Sequence, residues 1–271
     1  MTVIVAPAAT RQAIVRTEQT FVSSLGETRF SVILPEDYEA PEEAGRRYPV
    51  VYLLHGIGGH EDEWLKGSRL ADYATGRGMI ILSADAAQRC YVDSADGASL
   101  CETMAARDLV AFADRTFRTI PQREARGLMG LSMGGYGALY LSLRHPATFA
   151  AAASLSGAFI IGLERFAERR PNLAHVDQLF PAGMAGRERW DLFAQVRMAP
   201  PDVRQGLHWK LLCGTEDGLM HVNRALHHYL LATGVEHEYG EYPGAHTWPF
   251  WDAHAQECLD FLARHLVPAS T

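Results

Sequence analysis

The chain has 271 residues, a formal charge of −7, a hydrophobic share of 48% and a charged share of 21%. That balance suits a globular protein with a substantial core, and without any Lys/Arg run it argues against nucleic acid or an anionic membrane surface as the main partner. No stretch reaches the ~18 to 20 apolar residues of a membrane span. The opening MTVIVAPAATRQ lacks the basic and apolar regions of a secretory leader, and Cys90, Cys101, Cys213 and Cys258 show no CxxC spacing, so reduced thiols and a cytoplasmic location are expected.

In chain order, residues 28–34 (TRFSVIL) alternate like a half-exposed strand near a sheet edge. Residues 49–54 (PVVYLL) and 79–83 (MIILS) are short continuous apolar runs, as in strands buried on both faces. Residues 102–117 place Met104, Leu109, Phe112, Ala113 and Phe117 on one helical face. A strand over 125–131, a helix over 133–143 and a strand over 149–155 follow. Beyond them come a strand over 208–213, a helix over 219–232, a strand over 236–242 and a final helix over 251–266. This alternation predicts an α/β chain with one doubly wound, mostly parallel sheet and helices on both faces, a single domain over 1–271. Residues 159–205 break the rhythm with Pro171, Pro181, Pro200 and Pro201 and no clear strand. They are expected to form a small inserted cap above the carboxyl ends of the strands.

Gly130-Leu131-Ser132-Met133-Gly134 matches G-x-S-x-G. The pentapeptide alone is a weak signal. Here it follows a predicted buried strand and opens a glycine-rich helix, the strand–turn–helix setting in which such a serine serves as a nucleophile. A strained turn needs small residues two positions away on each side, which Gly130 and Gly134 supply. Gly135 and Gly137 would let the helix lie close to the sheet. The bland alternative is a serine capping a helix.

A serine nucleophile needs a base, and the base an acid. In CGTEDGL the turn after a strand offers Glu216 and Asp217. Asp217 is preferred for its shorter side chain, although Glu216 remains a rival. In EYPGAHTWPFW, His246 lies between a strand and the last helix, with Gly244 freeing the loop. The oxyanion hole is expected from the amides of Met133 and Ile57, with Gly58 as alternate, in the glycine turn of HGIGG; His55 would buttress that turn. Twelve histidines raise the question of a metal, but no HExxH or paired Cys/His spacing occurs, so neither metal nor cofactor is expected. Gly58, Trp64, Tyr91, Tyr136 and Trp248, with Phe159, Trp190 and Trp251, are candidates to line a substrate pocket, core packing being at least as good a reading of each aromatic.

Together these stretches resemble the esterase D family of α/β-hydrolases, which includes tributyrin esterase-like enzymes, S-formylglutathione hydrolases, feruloyl and acetylxylan esterase domains, and the antigen 85 mycolyltransferases. The blocks that carry it are YPVVYLLHGIGGHEDEW, RDLVAFADRTFRT, GLMGLSMGGYGALYLSLRHPATFAAAASLSG, CGTEDGL and PGAHTWPFW. The resemblance implies an α/β-hydrolase fold, Ser132 as nucleophile, Asp217 as acid, His246 as base, and the Ile57 and Met133 amides as oxyanion donors. Cys90-Tyr91 stands where members often carry Trp-Tyr, and Asp108 where Glu is common, so substrate identity does not transfer. The expected activity is that of a serine carboxylesterase on small, short-acyl esters. The alternatives are an S-formylglutathione (thioester) hydrolase, a carbohydrate acetyl or feruloyl esterase, an acyltransferase and, remotely, a non-catalytic binding protein on this scaffold. The expected partner is a small ester or thioester, and a homo-oligomer is left open.

Overall fold

The computed structural model describes residues 12–181 and 183–270. Its elements run β1 (Ile14–Ser23), β2 (Gly26–Leu34), β3 (Val50–Leu54), α1 (Glu63–Gly67), α2 (Leu70–Ala74), β4 (Ile80–Ala84), α3 (Cys101–Thr103), α4 (Leu109–Thr116), β5 (Arg126–Leu131), α5 (Met133–Arg144) and β6 (Ala151–Leu155). Then follow α6 (Phe166–Arg169), α7 (Leu192–Met198), α8 (Pro201–Gln205), β7 (His208–Gly214), α9 (Met220–Ala232), β8 (Glu238–Tyr242) and α10 (Trp248–His265).

The strands form one eight-stranded sheet in the order β1-β2-β4-β3-β5-β6-β7-β8. β1 pairs with β2 and β2 with β4 antiparallel, and every other pairing is parallel. The four central strands β4, β3, β5 and β6 are buried at every residue, which is why their sequences read as mostly apolar runs, interrupted at Ser83, Arg126 and Ser154. Side chains alternate between the faces. Val50, Tyr52 and Leu54 join the core shared with α4, α5 and α9, whereas Val51 and Leu53 join the one under α1, α2 and α10. The fold is that of an α/β-hydrolase.

Two elements differ from the sequence expectation. The edge strand on that side is β1, which was not expected. Segment 28–34 lies next to it, near the edge as expected, but is buried at every residue except Arg29 where half exposure was expected. In β1 only Phe21 is buried, and the register slips between Arg16 and Gln19 around Glu18, whose φ is +57°. A strand exposed along nearly its whole length writes no hydrophobic alternation. The helix expected over 102–117 is divided: α3 passes through a π-helical turn over Met104–Asp108 before α4.

Between β6 and β7 the described residues of 156–207 form short helices and 3-10 turns, without a strand. The loops after β3, β5, β7 and β8 all open at the carboxyl edge of the parallel strands. That edge, where strand order reverses between β3 and β5, is where such sheets bind ligands.

Candidate active site

Ser132 follows the last residue of β5 and adopts φ +54°, ψ −117°, a conformation that costs a non-glycine residue energy. Three backbone bonds hold it there. Its N–H donates to Leu155 O at 2.9 Å, and its carbonyl accepts from Tyr136 N–H at 3.0 Å and Ala158 N–H at 2.9 Å. The flanking glycines are required by contact. A Cβ on Gly130 would stand 2.3 Å from Gly134 O, and one on Gly134 would stand 2.3 Å from Leu54 O. Gly135 fits α5 against the end of β6, where a Cβ would meet Ser154 Oγ at 2.6 Å. Gly137 departs from expectation. Its absent side chain makes room for the Tyr91 ring, 2.6 Å from an added Cβ, and not for the sheet.

The turn after β7 and the loop after β8 bring the other two candidates to the serine. His246 Nε2 lies 2.9 Å from Ser132 Oγ, and His246 Nδ1 lies 2.8 Å from Asp217 Oδ2. Asp217 Oδ1 accepts from Leu219 N–H at 2.7 Å. Burial pushes the Asp217 carboxyl up, but hydrogen bonds from His246, Leu219 and Ser156 outweigh it and hold it below the ordinary carboxylate value. An ionised Asp217 only accepts, so Nδ1 carries the imidazole proton and Nε2 is left to accept from the serine hydroxyl.

Glu216, the rival acid, points elsewhere. It accepts the Gly244 N–H and the Thr215 hydroxyl, the latter at 2.8 Å. It thereby ties the His246 loop to the β7 turn. Gly244 has φ +146° and lies against Phe250, 2.6 Å from an added Cβ, so only glycine lets the loop turn there.

Two supports were not visible in the sequence. Ser156, at φ +51°, receives the Trp251 indole N–H at 3.1 Å and also bonds Asp217. The Trp251 ring stands edge-on to His246, with centroids 4.9 Å apart and planes at 88°. Ser156 lies at the end of a strand with no motif around it, and Trp251 read only as one aromatic among many.

On the opposite side, the turn Gly56–Gly59 closes by Gly59 N–H to Gly56 O at 3.1 Å. His55 is buried, and its Nε2 accepts from Ala86 N–H at 2.9 Å, so its proton sits on Nδ1, 2.8 Å from Gly56 O. Burial lowers its pKa and keeps it neutral. His55 therefore buttresses the turn. Met133 N–H, in the first turn of α5, has no intrahelical acceptor. Among the described residues the Ile57 N–H has no protein acceptor either. Both residues line the same cavity as Ser132 and His246. Gly58, at φ +83°, turns the chain and is not part of the cavity wall.

The cavity measures about 350 Å³. Its outer wall comes from the segment after β6, through Ala158, Ile160, Ile161, Phe166, Leu173 and Val176, with Arg170 as the cation; Leu219 and Cys90 add to it. Burial pushes the Cys90 thiol up to about 12, so it stays protonated and acts as an apolar surface.

The aromatic residues expected in the pocket are not in its wall. Trp64 is fully buried under the sheet and donates to Leu54 O at 3.2 Å. Trp248 packs edge-on to Trp64 and covers Gly67. Tyr91 is buried with its hydroxyl on His55 O at 3.2 Å. Tyr136 is buried, stacks on Tyr140 and donates to Trp190 O at 2.6 Å. Phe159 is buried against Gly157, and Trp190 is buried against Phe180 with its indole on Asp93 O. Large rings with one polar atom find their best burial where that atom meets a backbone carbonyl, and here those carbonyls lie behind the site.

Among the described residues one group, His60, Glu61 and Asp85, has metal-type donor atoms within 4.8 Å of one another. Arg29 already pairs with both carboxylates, at 3.5 Å to Glu61 and 3.0 Å to Asp85, so a cation occupies the charge there. No helix among these residues is long and apolar enough to cross a membrane. All four cysteines are buried and unpaired.

Comparison with known proteins places the chain in a family. The Esterase family model ("Putative esterase") matches residues 23–260. An acetyl esterase of Caldicellulosiruptor saccharolyticus is 25% identical over 221 residues, covering 79% of this chain and 83% of that protein. Esterase Rv1288 of Mycobacterium tuberculosis is 34% identical over 132 residues, 47% of this chain but only 28% of its own length. Among solved structures, a ferulic acid esterase superposes with a TM-score of 0.80 at 25% identity, covering 95% of this chain and 99% of its own. Staphylococcus aureus FphF, a fluorophosphonate-binding serine hydrolase, shares the fold with a TM-score of 0.81 at 21% identity over 93% of this chain and 99% of its own. The chain belongs to the Esterase family on the α/β-hydrolase fold and is a carboxylic ester hydrolase.

Proposed function

We propose that the chain hydrolyses small esters by two-step acyl transfer through Ser132, with His246 as base and Asp217 as the acid that fixes it. The observation that carries this reading is the unbroken relay of 2.9 Å and 2.8 Å from Ser132 Oγ through His246 to a buried Asp217. His246 Nε2 takes the serine proton as Oγ attacks the ester carbonyl. The amides of Ile57 and Met133 receive the oxyanion. The imidazolium, held by Asp217, protonates the leaving alcohol. A water deprotonated by the same Nε2 then hydrolyses the acyl-enzyme.

The apolar lining from Ile160 to Val176 suits an acyl group, and a volume of about 350 Å³ suits a short one. It stands at the small end of ligand cavities, which begin at roughly 300 Å³. The expected rate is highest for acetyl to butanoyl esters and falls toward dodecanoyl. A fluorophosphonate probe tests the nucleophile. One adduct is expected, on the peptide containing Ser132; labelling at any other residue would refute the assignment.

A further inference from the structure

The turn that carries the Ile57 amide is held by a carboxylate that touches none of Ser132, His246 or Asp217. Glu63, the first residue of α1, folds back over the turn, and its Oε2 accepts Gly56 N–H at 3.0 Å. A Cβ on Gly59 would fall 2.0 Å from that same oxygen, so position 59 is glycine because the carboxylate fills the space a side chain would need. Gly56 in turn lies against the serine turn. A Cβ there would stand 2.6 Å from Leu131 Cδ1 and 3.6 Å from Ser132 Cβ. The Gly56 residue is thus fixed at its N–H by Glu63 and at its carbonyl by His55 and Gly59. The next N–H along the chain is that of Ile57. Trp64 completes the clamp one residue later by bonding Leu54 O, the carbonyl at the end of β3.

We propose that Glu63 is a positioning residue for acyl transfer at Ser132, its carboxylate oxygen acting as the acceptor that sets the Gly56 peptide and, through it, the Ile57 oxyanion donor. This rests on the function proposed above. The role needs an acceptor and not a charge. A full negative charge near a developing oxyanion opposes it. Burial already raises the Glu63 carboxyl above its ordinary value, with Asp62 adding to the rise and the Gly56 N–H and His60 pulling it back.

The test compares three variants on p-nitrophenyl acetate. Glu63→Gln keeps an oxygen for Gly56 N–H and is expected to hold kcat at or above wild type. Glu63→Met removes the acceptor, and kcat is expected to fall about tenfold or more, short of the ~10²- to 10³-fold that loss of a whole oxyanion donor costs. KM should stay within about twofold. Gly59→Ala pushes the carboxylate aside without altering it and should reproduce that loss. The Gly59→Ala/Glu63→Met pair should be no worse than either single change, since both remove one interaction.

Wild-type kcat in Glu63→Met or Gly59→Ala would overturn the proposal. So would a Glu63→Gln enzyme as slow as Glu63→Met, or losses that multiply in the pair. If Glu63→Met does not fold, the Gly59→Ala and Glu63→Gln rates decide alone. Ser132→Ala in the same assay separates the two levels: turnover by that variant sinks the underlying reading and this one with it. A dead Ser132→Ala beside a full-speed Glu63→Met sinks only the role of Glu63.

Discussion

The two walls of the active-site cavity are built by different means. The inner wall hangs from strand ends: Ser132 after β5, Ile57 after β3, Asp217 after β7 and His246 after β8. Ser132, His246 and Asp217 are joined by hydrogen bonds while the Ile57 and Met133 amides stay open, and the backbone is strained at Ser132 and Ser156 but pinned by bonds at 2.7 to 3.1 Å. The outer wall, from the segment 156–207, has no strand and little regular helix among its described residues. Its carbonyls are gathered by one buried side chain, Arg187, which donates to Gly183 O at 2.9 Å, Pro181 O at 3.0 Å and Glu164 O at 3.1 Å. Apart from Arg170, it presents apolar groups to the cavity. One wall fixes where charge develops; the other offers shape and apolar area, which discriminate substrates by only about 1–3 kcal/mol per methylene.

That contrast predicts unequal effects. Asp217→Asn reverses the imidazole tautomer while keeping the side-chain volume, and should lower kcat by about 10²- to 10⁴-fold with little change in KM. Glu216→Gln, which keeps an acceptor for Gly244, should change kcat by less than about tenfold. Comparable losses would mean the two acids share the role. On the outer wall, Phe166→Ala should alter the ratio of butanoyl to acetyl kcat/KM by up to about tenfold while leaving acetyl turnover within a few-fold. A collapse of acetyl turnover would show that this wall holds the chemistry as well. Smallest in its kinetic effect is Tyr136→Phe, which leaves the buried Trp190 carbonyl without its 2.6 Å partner. It should cost roughly 1–3 kcal/mol in unfolding free energy, read from a denaturant midpoint, with kcat and KM unchanged. A raised KM would return Tyr136 to the pocket.

The sequence was legible where local chemistry dictates local shape. The pattern around Ser132 demands glycines at contacts of 2.3 Å. The turn of Asp217 and the loop of His246 each follow a strand directly, so order along the chain becomes proximity at the sheet edge. Aromatic rings carried no such constraint. Trp64, Tyr91, Tyr136 and Trp248 were as compatible with a pocket as with the core; the first three are buried in the core, and Trp248, half-buried, packs against it through Trp64. The cavity wall came from Ile160, Ile161, Leu173 and Val176, aliphatic residues in a segment without periodicity, where no pattern says which side faces inward. β1 escaped notice for the opposite reason: with almost nothing buried, it has no hydrophobic period to read. Glu63 was hidden because its partner is a backbone N–H seven residues earlier, a contact that only the folded turn creates.

The central claim is that Ser132 performs the attack, and turnover of p-nitrophenyl acetate by Ser132→Ala tests it most directly. With the fold verified by an unchanged far-UV spectrum, the account predicts a fall in kcat of about 10⁴-fold or more. A variant that keeps wild-type turnover would contradict it.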